Sequence, residues 1–183
     1  GHLAAQWGIE RAEADNIGMM GTIINSLMLR GVLKGRSDSS VEVRVMTAIP
    51  VNTVAEPFIR LRAIHHLEKG YIVIFAGGIG NPYVTTDYTA AQRALETRSD
   101  GLLFAKNKAC GIFTADPQKD PEARMYRRMN YNTILHNNLT IVDQQSVIIA
   151  RDNHMPFHVF DFDEKQTITR ICAGDEDIGT IVD

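Results

Sequence analysis

Hydrophobic residues recur along the chain with two spacings, one typical of amphipathic helices and the other typical of buried strands. The two kinds of segment alternate, which predicts an α/β fold, a three-layer αβα sandwich on a largely parallel central sheet. With 183 residues, the chain fits a single domain over positions 1–183. The predicted helices cover 11–33, 57–70, 88–96 and 143–152, and the predicted strands cover 41–46, 71–76, 102–105, 157–162 and 179–182.

The first helix, Arg11 to Leu33, is apolar on nearly all sides. One stripe and the side opposite to it are both hydrophobic, so we expect the helix to be covered on more than one side. Either a second copy of the chain covers it, or it is a central core helix within one subunit. The two stripes are Ile17, Met20, Ile24 and Leu27 on one side, and Met19, Ile23, Met28 and Leu29 on the other.

The second predicted helix is bounded by residues that favour helix ends. Pro57 suits the first turn of a helix, and Gly70 suits the position just after its last residue. The helical spacing predicts that this helix buries Phe58, Leu61, Ile64 and Leu67. Its two adjacent histidines point in different directions on a helix, so they indicate a solvated face rather than a metal site.

A glycine-rich loop follows the most apolar strand. The run 71–76 (YIVIFA) is typical of a strand buried on both faces. It leads into GGIGNP at 77–82 and then into Thr85-Thr86-Asp87, a strong N-cap cluster for the next helix. Glycines allow close approach of a ligand, and a helix N-terminus favours anions. The pattern alone leaves a ligand-binding loop and a structural turn equally open.

Weaker signals lie elsewhere in the chain. A strand ends at Ala105-Lys106-Asn107, and a turn follows at 111–117 (GIFTADP), a combination that suits either a nucleotide base and ribose or an ordinary loop. Asp15 and Asp143 each lie near the start of a predicted helix, where a carboxylate stabilises the helix dipole. Cys110 follows Lys108, but a buried, inert thiol is the favoured interpretation.

Composition excludes several functional classes. Hydrophobic residues make up 44% of the chain, enough for a substantial core, and the net charge of -3 argues against a nucleic-acid-binding protein. No apolar run reaches the length of a membrane span. The two cysteines match neither a metal site nor a disulfide framework, so we expect a reduced, cytoplasmic setting and no protein-bound metal.

Taken in order, the motifs resemble those of the bacterial UMP kinases, within the amino-acid kinase superfamily. The resemblance covers essentially the whole chain, and its GNP-(Y/F)-x-TTD and AEP-(Y/F)-IR motifs are specific to this family. A kinase acting on an amino-acid carboxylate is a weaker alternative, because the glycine-rich loop follows the nucleotide branch. The matching segments are RAEADNIGM at 11–19, TAIP at 47–50, AEPFIR at 55–60, HLEKG at 66–70, GNPYVTTD at 80–87, AKN at 105–107, ADP at 115–117, VD at 142–143 and GTIV at 179–182.

The resemblance implies transfer of a phosphoryl group from ATP to UMP in pyrimidine nucleotide synthesis. Mg²⁺ would bind mainly through the phosphates, and no protein nucleophile is expected. It also implies regulation by GTP and UTP, and a hexamer assembled through the helix at 11–33. The implied UMP-binding residues are Asp15, Ile79, Gly80, Asn81, Pro82, Tyr83, Val84, Thr85 and Thr86; the implied ATP-binding residues are Asn107, Phe113 and Asp116; and Asp143 is placed near the transferring phosphates.

The chain departs from the family pattern in several places. Ile79 replaces a threonine, Val84 replaces an aromatic residue, and Cys110 replaces an aspartate. The N-terminal strands of the family, which carry a phosphate-binding lysine and a glycine-rich loop, have no counterpart in the sequence. A chain without them is expected to catalyse poorly, which leaves open a catalytically inactive UMP- or UTP-binding or assembly module.

Overall fold

The structure is a computed structural model that describes residues 6–37, 41–115 and 119–183. These residues belong to two compact units, Gly1–Thr89 and Ala90–Asp183. Each unit is treated below by itself, and the single-domain organisation stays a prediction.

The first unit contains a three-stranded parallel sheet between two helices. Its elements are α1 (Arg11–Arg36), β1 (Val43–Thr47), β2 (Glu56–Pro57), α2 (Arg60–Glu68) and β3 (Ile72–Ala76), and the strand order is β2-β1-β3. In the register, Val45 lies opposite Ile74 and Met46 opposite Phe75.

Alternation along the strands assigns one helix to each face of this sheet. Ile23 of α1 packs against Val45 and Ala76, which share one face. Phe58, just before α2, packs edge-on against Phe75 on the other face, with ring centroids 5.6 Å apart. Helix, sheet and helix therefore form three layers within this unit.

The helix predicted at 57–70 begins later than expected. Pro57 lies in β2, opposite Thr47 of β1, and the N–H of Phe58 donates to the Thr47 carbonyl at 2.9 Å. Proline has no N–H to donate to a ladder, so within sheets it is found at positions such as an edge strand, where that donor is not needed. The predicted inward stripe is wrong for Leu61 and Leu67, which are exposed, whereas Ile64 is buried as expected. Gly70, with φ +76°, does follow the helix.

The predicted apolar strand is less buried than its sequence indicates. Ile72 is exposed, and the central positions of β3 are only partly buried. The reason is its place at one edge of the three-stranded sheet, since an edge strand has a neighbour on one side only.

The second unit contains a four-stranded sheet in the order β4-β8-β9-β7 and a small hairpin, β5-β6. The β4–β8 and β7–β9 pairs are parallel, whereas β8–β9 and β5–β6 are antiparallel. The prediction of an α/β fold with largely parallel sheets is therefore confirmed. The elements are α3 (Thr86–Thr97, starting within the first unit), β4 (Leu102–Lys106), β5 (Ile112–Phe113), β6 (Met125–Tyr126), β7 (Arg128–Met129), α4 (Tyr131–His136), α5 (Gln144–Asp152), β8 (Phe157–Asp161), α6 (Thr167–Cys172) and β9 (Thr180–Val182).

The main hydrophobic core lies in this second unit. Phe157 and Val159 of β8 are buried with Val147 of α5 and Ala91 of α3. Phe157 also packs edge-on against Phe104, with centroids 5.3 Å apart. This core holds the carboxyl ends of β4 and β8 at one edge of the sheet, where the second set of predicted site residues begins.

In the part of the chain that the structure describes, no helix has the length and apolarity to cross a membrane.

Candidate nucleotide sites

The glycine-rich loop starts where β3 ends and passes close to the end of β1. At Gly77, φ is +73°, and a Cβ there would lie 2.9 Å from Oγ1 of Thr47. The N–H of Gly77 donates to Oγ1 of Thr22 on α1 at 2.9 Å. A side chain at this position would displace the loop, so glycine is required for the loop to close against β1 and α1.

The predicted site residue Asp15 contacts this loop directly. Its Oδ2 accepts a hydrogen bond from the backbone N–H of Tyr83 at 2.8 Å. The Nε of Arg11 donates to both carboxylate oxygens of Asp15, at 3.1 and 3.2 Å. The Arg11 guanidinium also lies over the Tyr83 ring, 5.6 Å from its centroid. The structure therefore brings Asp15 together with the loop that follows β3.

The same contacts change the acidity of Asp15. The hydrogen bond from the Tyr83 N–H holds the pKa of this carboxyl below its ordinary value; burial opposes this effect, and Arg11 adds smaller contributions that lower the pKa further. An anionic side chain is therefore held at the loop. A carboxylate has about four acceptor positions, so Asp15 remains able to accept a hydrogen bond from a ligand hydroxyl.

The rest of the loop presents a mixed surface. The side chains of Asn81, Tyr83, Thr85 and Thr86 are exposed, whereas Ile79, Gly80, Pro82 and Val84 are partly buried. Oγ1 of Thr85 accepts from the N–H of Tyr88 at 3.1 Å, so Thr85 caps α3 as the sequence predicted. The loop from 79 to 86 thus combines exposed polar groups with the N-terminus of a twelve-residue helix, the arrangement that suits an anionic ligand.

The predicted ATP-binding residues lie at strand ends of the second unit. Asn107 is exposed immediately after β4, and Phe113 is partly buried in β5. The hairpin that carries Phe113 is tied to β9, because the N–H of Ile112 donates to Oγ1 of buried Thr180 at 2.8 Å. Asp116 lies outside the described residues.

Asp143 is the N-cap of α5, as its sequence position predicted. Its Oδ1 accepts from the N–H of Gln145 at 3.1 Å, and its carbonyl accepts from Oγ of Ser146 at 2.5 Å. The side chain is partly exposed. Capping satisfies one of the orphan N–H groups of the helix, so a role at the phosphates would come in addition to this structural one.

Four further residues contact the glycine-rich loop or the end of β4 and were not singled out as candidates from the sequence. Arg11 and Thr22 contact the loop as described above, and the side chain of Thr47 lies where a Cβ at position 77 would come too close to it. Phe162 follows β8; its N–H donates to the carbonyl of Lys106 at 2.8 Å, and its side chain is 66% exposed beside the end of β4. The available sequence signal for Phe162 was an aromatic residue directly after an apolar strand. Nothing in the sequence links Arg11 to position 83.

Within residues 6–37, 41–115 and 119–183, no group of three or more His, Cys, Asp or Glu side chains is arranged to hold a metal ion. Both cysteines are free and exposed, so the predicted burial of Cys110 is wrong. Cys110 lies in a short loop between β4 and β5, where little packs against it.

Comparison with known proteins identifies the family. The model of the amino acid kinase family matches residues 1–161. A uridylate kinase of Frankia alni is 49% identical over the whole chain, which covers 70% of that protein. One from Oenococcus oeni is 43% identical, with 73% of its length covered. The chain belongs to the uridylate kinases of the amino acid kinase family.

Solved structures of the uridylate kinase family show the same fold. The UMP kinase from Bacillus anthracis superposes with a TM-score of 0.95 and 56% identity, covering 100% of this chain and 74% of that one. The UMP kinase from Ureaplasma parvum superposes with a TM-score of 0.92 and 33% identity, covering 100% and 76%. The family resemblance and the amino-acid-kinase-like fold predicted from the motifs are therefore confirmed.

Proposed function

We propose that this protein transfers the γ-phosphoryl group of ATP to UMP, giving UDP and ADP. The observation that carries the proposal is the Asp15–Tyr83 hydrogen bond, which joins α1 to the glycine-rich loop in a chain of the uridylate kinase family. Membership of a kinase family supports ATP as the donor, and the reaction serves pyrimidine nucleotide synthesis in the cytoplasm.

The first unit supplies the UMP site. Asp15 accepts a hydrogen bond from the ribose or the base, and the loop of Ile79, Gly80, Asn81, Pro82, Tyr83, Val84, Thr85 and Thr86 surrounds the nucleotide. The loop is preorganised by Gly77, whose N–H is held by Thr22. Fixing the acceptor in this way lowers the entropic cost of bringing its phosphate into line with the donor.

The second unit supplies the ATP site. Asn107, Phe113 and Asp116 contact the adenine and ribose, and Phe162 adds an exposed aromatic face beside the end of β4. Asp143 lies near the transferring phosphates at the start of α5. Mg²⁺ bound through the phosphates of ATP would supply charge neutralisation during transfer.

We also propose a homo-oligomer, in the form of a hexamer, assembled through α1. The side of α1 that faces away from the sheet carries exposed apolar side chains at helical spacing, which are Ile17, Met20, Ile24, Met28 and Val32. A second copy of the same helix would remove this surface from water.

GTP and UTP are proposed as effectors. The first unit has a cavity of about 360 Å³ lined by the cationic side chains of Arg30, Lys34 and Arg44 and by the carboxylate of Glu56. Lys34 and Arg44 also pair with Glu42, and the excess of cationic over acidic lining residues favours a polyphosphate. If this cavity takes GTP, the double variant Arg30→Gln/Arg44→Gln should lose activation by GTP while its basal rate is preserved.

The decisive experiment measures UDP formation with ATP and each nucleoside monophosphate in turn, using protein expressed from its complete gene. Turnover with UMP that exceeds turnover with CMP, AMP or GMP supports the proposal. The alternative is an inactive UMP- or UTP-binding module, and the relatives do not support it better than they support the kinase. It requires that UMP binds without any formation of UDP. Protection of the fold by glutamate or aspartate rather than UMP would instead favour an amino-acid substrate.

A further inference from the structure

Arg11 is the first residue of α1, and it contacts both Asp15 of the same helix and Tyr83 of the glycine-rich loop, which also contact each other. Its Nε donates to the Asp15 carboxylate, and its guanidinium lies over the Tyr83 ring. The Tyr83 N–H donates to the same carboxylate. The start of α1 is thereby joined to the loop after β3 by an ion pair, a cation–π contact and a hydrogen bond.

Helix energetics alone do not account for an arginine at this position. A cation at a helix N-terminus opposes the helix dipole. A basic residue four positions before an acidic one is also the weaker order for a helical ion pair. The Arg11 side chain is 66% exposed, and exposed ion pairs contribute little to stability. The contacts of Arg11 with Asp15 and Tyr83 therefore serve the loop more than the helix.

Tyr83 is held in a backbone conformation that tyrosine disfavours. Its φ is +65°, in the left-handed region that non-glycine residues seldom occupy. Such a conformation persists when its surroundings specify it. Here the amide is held by Asp15 and the ring by Arg11, and both contacts fix the direction of the exposed ring, which is 62% accessible.

We infer that Arg11 is a positioning residue for the uridine nucleotide site, holding the Asp15 carboxylate and the Tyr83 turn in the arrangement that accepts the substrate. This inference rests on the proposed function. Arg11 directs the two Asp15 oxygens toward the loop and leaves acceptor positions for a hydroxyl of the nucleotide. Without Arg11, the loop must be ordered when UMP binds, and the ordering cost appears as weaker UMP binding.

The test compares steady-state kinetics of the wild-type enzyme with Arg11→Gln, Arg11→Lys and the control Arg36→Gln. Arg36 is an exposed arginine in the last turn of the same helix, about 37 Å from Arg11 at 1.5 Å per residue. Arg11→Gln should raise KM for UMP roughly tenfold, which corresponds to about 1.4 kcal/mol. KM for ATP and kcat should stay within about twofold, a split that general destabilisation would not produce.

The conservative variant separates charge from shape. Arg11→Lys keeps the charge but loses the planar group that lies over Tyr83, so its KM for UMP should fall between those of the wild type and Arg11→Gln. Tyr83→Asn keeps the amide donor and tolerates positive φ, but removes the ring. It should also raise KM for UMP, and combining it with Arg11→Gln should add less than the sum of the two effects.

Two results would overturn the inference. One is an Arg11→Gln enzyme whose KM for UMP matches that of Arg36→Gln, and the other is an equal loss in kcat and in both KM values together with a lower melting temperature. Wild-type enzyme that fails to phosphorylate UMP would instead reject the proposed function, so the two failures are distinguishable.

Discussion

The Oδ2 atom of Asp15 lies 2.8 Å from the backbone nitrogen of Tyr83, although 68 residues separate the two along the chain. This hydrogen bond joins α1 to the loop that follows β3. It brings together two motifs that are far apart in the sequence.

Replacement of Asp15 by asparagine should weaken UMP binding more than it weakens the fold. The Asn side-chain oxygen still accepts from the Tyr83 N–H, but the negative charge and the ion pair with Arg11 are lost. We expect the dissociation constant for UMP to rise about tenfold or more, since hydrogen bonds to charged groups are the stronger ones. Isothermal titration with UMP checks this, and unchanged affinity would contradict a role for Asp15 at the nucleotide.

The pH dependence of stability should show the ionised state of Asp15. Its pKa in the folded protein is lowered by the Tyr83 N–H and then by Arg11. A lowered pKa means that the carboxylate stabilises the folded state above the unfolded pKa of 3.8, and that this contribution disappears as pH falls through the folded pKa. The difference in melting temperature between wild type and Asp15→Asn should therefore have its largest value near pH 6 and decrease below about pH 4. A difference that is constant down to pH 2 would contradict the assignment.

Thr22 should be required for the geometry of the glycine-rich loop. In Thr22→Val, the Gly77 N–H loses its acceptor in a partly buried place, which costs about 1–3 kcal/mol. We expect a lower melting temperature together with a higher KM for UMP. Thr22→Ser keeps the hydroxyl and is the matched control; a serine variant as impaired as the valine variant would show that the methyl group, rather than the hydrogen bond, matters.

Gly179 should tolerate no side chain. Its φ is +64°, and a Cβ there would clash with the carbonyl oxygen of Val159. Gly174 also has positive φ, +91°, but a Cβ there would meet open space. Gly174→Ala should cost about 1–2 kcal/mol from backbone strain alone, whereas Gly179→Ala should cost about 4 kcal/mol or more. Urea unfolding of both variants checks the difference, and equal costs would contradict the close approach of β8 and β9.

Phe162 should contribute to donor binding. Phe162→Leu removes an exposed aromatic face beside the end of β4, and stacking of this kind is worth about 0.5–1.5 kcal/mol. KM for ATP should rise roughly threefold to tenfold, while KM for UMP stays constant. Phe162→Tyr retains the ring and should resemble the wild type. An increase in KM for UMP but not for ATP would place Phe162 outside the donor site.

The element order could be predicted from the sequence because the local signals were strong. The caps at Thr85 and Asp143 bond to the helices they were expected to begin, and Gly70 follows its helix. Pro57 misled the prediction, because proline suits both a helix start and an edge strand, and only pairing with Thr47 decides between them. The short strands of the β5-β6 hairpin carry too few residues for a periodic pattern.

The sequence by itself determined the alternation of helices and strands, the glycine-rich loop and the family motifs, because each depends on residues close together in the chain. Only the tertiary structure decided that Arg11, Asp15 and Tyr83 meet, that Thr22 holds Gly77, and that Leu61 is exposed while Ile64 is buried. These relationships depend on how α1 and α2 pack on the sheet. Packing is set by long-range contacts that no local pattern encodes.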